Sequence, residues 1–258
     1  MKRVFAFIIT TIILVLPACD TAEVRDYYQI KIFNLDSDQQ EATMDIYLKT
    51  AFIPGLHRAG IENVGVFKPI EGKNDHKKFI MVFIPFQSFQ DIEKLNETLS
   101  KDETYLTDGE DYIQASHDDP PYARMESILL KSFSEMPQYA VPELSSQPSQ
   151  RVYELRSYEG ATEQLYERKV EMFNDAGEVN IFKELEFNPV FFGEVISSAH
   201  MPHLMYMTTF SDTLSQQEHW NAFRAHPDWL VIKEIERYKN TVSSITKYLM
   251  YPTDYSDI

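Results

Sequence analysis

Glu154 and Arg156 are the residues whose types and spacing most readily do chemistry. They stand two apart in Val152-Tyr153-Glu154-Leu155-Arg156-Ser157-Tyr158, a run of strand character, so their side chains and that of Tyr158 share one face. A guanidinium beside a carboxylate can anchor an anionic or carbonyl-bearing small molecule, with Arg156 as the anchor. The same pair can instead be an ion-pair network fixing how two sheets dock, because a charge withdrawn from water needs a partner. If Leu155 meets the helices, Glu154, Arg156 and Tyr158 look into an enclosed interior. Gln29 and Lys31, at matching positions of Tyr28-Gln29-Ile30-Lys31-Ile32-Phe33, are expected to do the same. Tyr206 and His57 are the candidates for proton transfer at such a pocket.

Other residue groups are read as structural. His200 and His203 have a metal spacing on a helix, but here they lie in a turn running into a strand with no third ligand nearby in sequence, so no metal is expected. Asp118 and Asp119 precede two prolines and read as a solvated turn. Trp220 and Phe223 share a helix face, and Pro227 suits the first turn of a second short helix. This pair reads as a clamp on the back of a sheet, with a ligand-stacking role as the alternative. There is no glycine-rich phosphate loop, nucleophile elbow or zinc-protease motif, and only 8 of 258 residues are glycine. No cofactor is expected.

The elements that position these residues follow a repeated pattern. Strands are expected over Tyr27–Leu35, Val64–Ile70, Lys78–Phe86 and Met125–Phe133. A helix capped at Ser37 or Asp38 carries Met44, Leu48 and Ala51, with Pro54 kinking or restarting it and Gly60 ending it. A second helix covers Phe89–Leu99, and residues 101–124 read as irregular. Three prolines, serines and glutamines mark 136–150 as a linker. Beyond it the order repeats. Strands cover Val152–Tyr158, Pro189–Ile196, His203–Phe210 and Val242–Tyr251, with helices capped at Thr162 and over Leu214–Arg224. Each half reads β-α-β-β-α-β, and the fold expected is α+β. Two tandem ferredoxin-like units, 27–135 and 151–258, would pack sheet to sheet as a pseudo-dimeric α+β barrel, because each bare sheet face must be covered. The protein would be a monomer with an internal pseudo-dimer, or a homo-oligomer.

Charge and the N-terminus bear on location. The net charge of -16 repels phosphate backbones, so nucleic acid is not an expected partner. Lys2 and Arg3 precede an uncharged run from Val4 to Leu16, long enough for a signal peptide and short for a membrane span. Leu16-Pro17-Ala18-Cys19 resembles the lipobox of bacterial lipoproteins, in which the cysteine is acylated. Residues 1–18 are then a signal peptide, Cys19 the lipidation site and 19–26 a tether. The mature chain would be extracytoplasmic and membrane-tethered. Cys19 is the single cysteine, so the folded part has no disulfide and no cysteine nucleophile.

Three ordered stretches carry a family resemblance: Val152–Tyr158, Glu218-His219-Trp220-Asn221-Ala222-Phe223-Arg224-Ala225-His226-Pro227-Asp228-Trp229, and Tyr251-Pro252-Thr253-Asp254-Tyr255-Ser256-Asp257-Ile258. Together they look like the NIPSNAP family, and Pro120-Pro121-Tyr122 with Glu126-Ser127-Ile128-Leu129-Leu130 looks like its tandem bacterial members. The resemblance implies a dimeric α+β barrel, shared with antibiotic-biosynthesis monooxygenases and haem-degrading relatives, and implies no particular activity. Three functions stand: a small-molecule-binding or accessory protein, a cofactor-independent oxygenase or isomerase using the barrel interior, and a structural or interaction module. An open polar cavity around Arg156 favours the first two, and a closed one the third.

Overall fold

Strand β1 (Tyr27–Asn34) alternates, with Tyr28, Ile30 and Ile32 on one face and Gln29, Lys31 and Phe33 on the other. That alternation lets it join a barrel on one face and meet helices on the other. The computed structural model describes residues 24–74 and 78–258. The signal segment and the Cys19 motif lie outside the described residues. The remaining strands are β2 (Gly65–Pro69), β3 (Phe79–Phe86), β4 (Arg124–Ser132), β5 (Val152–Glu159), β6 (Pro189–Ser197), β7 (His203–Phe210) and β8 (Ser244–Pro252). They close one antiparallel barrel in the order β1-β3-β2-β8-β5-β7-β6-β4, with β4 returning to pair with β1. The halves meet edge to edge, at β2–β8 and at β4–β6. Closure leaves no free strand edge.

An eight-stranded barrel is just wide enough for side chains to fill. Here they do. Ile30, Phe83, Leu155, Phe191, Met207 and Met250 are all fully buried in one interior cluster. The Phe83 and Phe191 rings stack 5.2 Å apart across it, one from each half.

Helices cover the outside. In the first half, α1 (Asp38–Tyr47) is capped by the Ser37 hydroxyl, which accepts the Gln40 N–H. A π-helical turn over Leu48–Phe52 leads into α2 (Ile53–Arg58), where Pro54 sits in the first turn. Proline has no N–H to give, and the widened turn before it absorbs the missing bond. Then come α3 (Phe89–Leu99), α4 (Glu103–Asp108) and α5 (Glu110–Ile113). The last two fall where sequence reading expects irregular chain. Asp102 starts α4 by accepting the Tyr105 N–H, a cap with too little apolar periodicity after it to stand out.

In the second half, α6 (Glu163–Asn174) is capped by Thr162 and α8 (Thr213–Ala225) by Asp212. Two short helices, α7 (Glu178–Glu184) and α9 (Pro227–Ile232), complete the layer. Residues 136–150 are tied to the barrel end: Asp26 N–H donates to the Pro137 carbonyl, and Ala140 N–H to the Val190 carbonyl. Among the described residues, no helix is long and apolar enough to cross a membrane.

Candidate functional site

The polar residues of β5 converge on its outer, helix-covered face. Gln216 and Trp220 stand one turn apart on α8 and both reach down to Glu154. Gln216 Nε2 and Trp220 Nε1 donate to Glu154 Oε2 at 2.8 and 2.6 Å, and Arg156 Nε donates to Oε1 at 2.6 Å. The Arg156 guanidinium lies 3.5 Å over the Trp220 ring. Its Nη1 donates to the Tyr158 hydroxyl at 3.2 Å, and that hydroxyl shares a 2.7 Å hydrogen bond with the Tyr206 hydroxyl. Beside this cluster, Lys169 of α6 donates to Glu178 of α7 at 2.6 Å, and its ammonium lies 4.6 Å from the Phe173 ring.

The environment fixes these charges. Burial works against the Arg156 cation, but Tyr206, Tyr158 and Glu154 outweigh it, and its pKa lies above the ordinary arginine value. Burial pushes the Glu178 carboxyl up, with Lys169 and then Arg156 pulling the other way. Burial, then Tyr158, raises the Tyr206 hydroxyl far above the usual tyrosine range. Both Glu154 oxygens, the Trp220 N–H and the two tyrosine hydroxyls already have partners. This arrangement locks a helix onto a sheet.

The direction expected for these residues is reversed. Tyr153 and Leu155 enter the barrel, whereas Glu154, Arg156, Tyr158 and Tyr206 face the helices. In the first half, Gln29 Nε2 donates to the Ser127 hydroxyl at the surface. The Lys31 ammonium sits 5.3 Å from the Phe52 ring, with its pKa lowered by burial. His57 pairs with Asp257 at 2.8 Å on the outside. None of the seven candidates reaches the interior. The cause is solvation. A packed apolar interior offers a buried charge few donors, while overlying helices bring Trp, Gln and Lys side chains to the helix side of the sheet.

The histidines also find structural partners. His203 is buried, and its two ring nitrogens lie 2.7 Å from the Ser157 hydroxyl and 2.6 Å from the Ser198 hydroxyl. Burial, and secondarily His200, pulls its pKa down to about 4 from the ordinary 6.5. The unfolded chain therefore binds the extra proton first as pH falls. The stability contributed by neutral His203 is complete above about pH 6.5 and is lost on acidification towards pH 4. Thermal melts between pH 7 and 4 are expected to fall less steeply in His203→Gln than in the wild type, and parallel curves would refute this role.

Glu184, His226 and Asp228 come together with ligand atoms within 4.8 Å of one another. His226 Nδ1, however, accepts the Asp228 backbone N–H, capping α9. The proton of a neutral ring then lies on Nε2, which points at Glu184 Oε2 3.4 Å away. The group reads as a capped helix start, with the neutral ring's Nε2–H directed at the Glu184 carboxylate.

Open space lies at the surface. Five clefts among the described residues hold about 390 to 500 Å³ each, and Glu154, Arg156 and Tyr158 line none of these five. Sequence reading missed Gln216, Lys169, Glu178 and Asp26. The one signal in the sequence was the one-turn spacing of Gln216 and Trp220; nothing local connects Lys169 to Glu178 across a helix break.

Likeness to known proteins follows the fold. A candidate monooxygenase from Fusobacterium nucleatum subsp. nucleatum matches with a TM-score of 0.54 at 9% identity, over 90% of this chain and 94% of that one. Another, from Lactobacillus acidophilus, gives 0.54 at 12% identity over 88% and 94%. A mutant chlorite dismutase from Candidatus Nitrospira defluvii gives 0.50 at 11% identity over 91% and 94%. No curated protein matches the chain in sequence. What the chain shares with these structures is the eight-stranded α+β barrel, and its second half, residues 153–257, matches the model of the NIPSNAP family.

Proposed function

We propose that this is a lipid-anchored extracytoplasmic binding or accessory protein, with the barrel as a packed scaffold and recognition at a surface cleft. The filled interior counts against an interior site for ligand or substrate and by itself favours the structural-module reading. The observation that carries the binding reading is instead the surface cleft of about 460 Å³ lined by the buried Asp26 carboxylate. Glu154, Arg156 and Tyr158, on the helix side of β5, are bonded to one another and to α8. The polar atoms inside the interior cluster include the Tyr28 and Tyr153 hydroxyls, buried without a protein partner among the described residues. An oxygenase or isomerase of the interior-site type would need open volume beside a free titratable group. The fold neighbours' monooxygenase and chlorite dismutase descriptions concern those proteins; at 9 to 12% identity they bring only their fold to this one.

The two halves are read as tandem ferredoxin-like units, 27–135 and 151–258, joined by 136–150. Supporting this, each half runs in the same strand order, β4-β1-β3-β2 and β8-β5-β7-β6. Tyr28 and Tyr153 hold the same interior position at the start of each. Such an internal pair makes the monomer self-sufficient.

The anchor rests on Leu16-Pro17-Ala18-Cys19 after an apolar run. Expression in a bacterial host with a radiolabelled fatty acid is expected to label the protein and place it in the membrane fraction, with Cys19→Ser losing both. Label-free membrane association would overturn the anchor. Native mass spectrometry of protein from its own host is expected to show a small-molecule adduct; catalytic turnover of that molecule would overturn the non-enzymatic reading.

A further inference from the structure

The cleft beside the barrel mouth contains a carboxylate that the protein leaves half-satisfied. Asp26, just before β1, is only 4% exposed. It is held rigidly: its N–H donates to the Pro137 carbonyl at 2.8 Å, and its carbonyl accepts the Ser132 N–H at 2.9 Å. One carboxylate oxygen, Oδ2, accepts the Tyr139 backbone N–H at 3.2 Å. Among the described residues, the other oxygen has no protein donor and Asp26 has no ion pair. Burial raises its carboxyl above the ordinary aspartate value, and only the Tyr139 N–H pulls it back. Among the described residues this second oxygen is not one of the sealed, partnerless atoms; it belongs to a side chain lining the cleft, so an incoming donor can reach it and replace water there.

Asp26 lines a cleft of about 460 Å³, bounded by the end of β3, the turn after α2, one side of α3, and Tyr139. The walls are fixed. Gly60 takes a left-handed turn at φ 83°, and the Tyr139 hydroxyl accepts from Asn63 Nδ2 at 2.9 Å. The lining mixes apolar surface from Ile61, Pro85 and Leu95 with three carboxylates, Asp26, Glu62 and Asp91, against one cation, Lys94. Lys94 is exposed and makes no ion pair with Asp26. The local field is therefore negative, in a chain already at net -16.

We propose that this cleft binds a small organic ammonium compound, with its charged nitrogen donating to Asp26 and a short apolar body against Ile61, Pro85 and Leu95. The three features select different parts of that ligand. The unpaired oxygen calls for a donor, the surplus of carboxylates makes it cationic, and the apolar wall makes it more than an inorganic ion. A neutral alcohol supplies a donor without the charge, and a carboxylate meets repulsion.

This assignment rests on the binding reading above and names its ligand class. The test titrates the full chain in detergent with butylammonium, butyrate and butanol, followed by ligand-observed NMR. Butylammonium is expected to bind saturably and the other two not. Asp26→Asn, which keeps an oxygen for the Tyr139 N–H, is expected to weaken binding at least tenfold at an unchanged melting temperature. Thr98→Lys, at an exposed position on the cleft wall, places a tethered ammonium there and is expected to block binding to the same degree even if Asp26→Asn fails to fold. Equal binding by wild type and the variants, equal binding of butyrate, or no saturable butylammonium binding would each overturn the assignment. If a host-derived adduct persists in Thr98→Lys, the binding reading survives and this cleft is not its site. If there is neither adduct nor amine binding, both fail.

Discussion

Glu154→Ala is expected to lower the unfolding free energy by about 3–5 kcal/mol, the cost of stranding a buried charge after its partner is removed. The side chain of Glu154 is 1% exposed and accepts from three donors, Arg156 Nε, Gln216 Nε2 and Trp220 Nε1. Its loss leaves the Arg156 cation over Trp220 without a counter-charge and the indole N–H without an acceptor. Glu154→Gln keeps one acceptor and is expected to cost less, about 1–3 kcal/mol. Urea unfolding measures both, and a loss below about 1 kcal/mol for the alanine variant, inside the range of exposed pairs, would show that the cluster is not desolvated in solution.

Lys169→Met carries the second large effect. The Lys169–Glu178 pair is almost wholly removed from solvent, with side-chain exposures of 5% and 3%. Breaking it from the lysine side leaves Glu178 alone in an aromatic pocket, at a cost of about 3–5 kcal/mol near neutral pH. The pH dependence has a definite sign. Burial already raises the Glu178 carboxyl above the ordinary 4.5, and removing Lys169 takes away the main opposing influence. The folded variant then holds a proton that the unfolded chain releases, so its deficit is smallest below about pH 4.5 and grows as pH rises through the folded-state value. The double variant Lys169→Met/Glu178→Leu removes both charges at similar volume and is expected to regain the wild-type level or exceed it by about 1–4 kcal/mol. A double variant as unstable as Lys169→Met would contradict this.

The elements were legible in the sequence and the direction of β5 was not. Alternation between Tyr153, Leu155 and Glu154, Arg156 shows that the strand has two faces. It does not say which face is dry and sealed and which is dry but served by donors. Both faces of β3 and β7 are buried, so burial alone cannot orient a strand in this barrel. The deciding information sits in α8, some sixty residues away, where Gln216 and Trp220 point the same way. Phe33 and Tyr158, matched in the repeat, both lie on the helix side, and that agreement between halves could have set the direction. The His219–Trp229 stretch, by contrast, reads correctly as a clamp: Trp220 and Phe223 are buried against Phe182 and Phe187, and Pro227 opens α9. Asp26 carries no signal at all in sequence, because its isolation depends on where residues 137–139 happen to cross it.

The most direct test separates scaffold from site. Glu154→Gln/Arg156→Met keeps an acceptor for Trp220 and Gln216 and removes the guanidinium with its counter-charge. A double variant that melts within a few degrees of wild type and binds butylammonium with an unchanged dissociation constant is the predicted result. A variant that melts like wild type but has lost the ligand would place recognition at Arg156 and contradict the account.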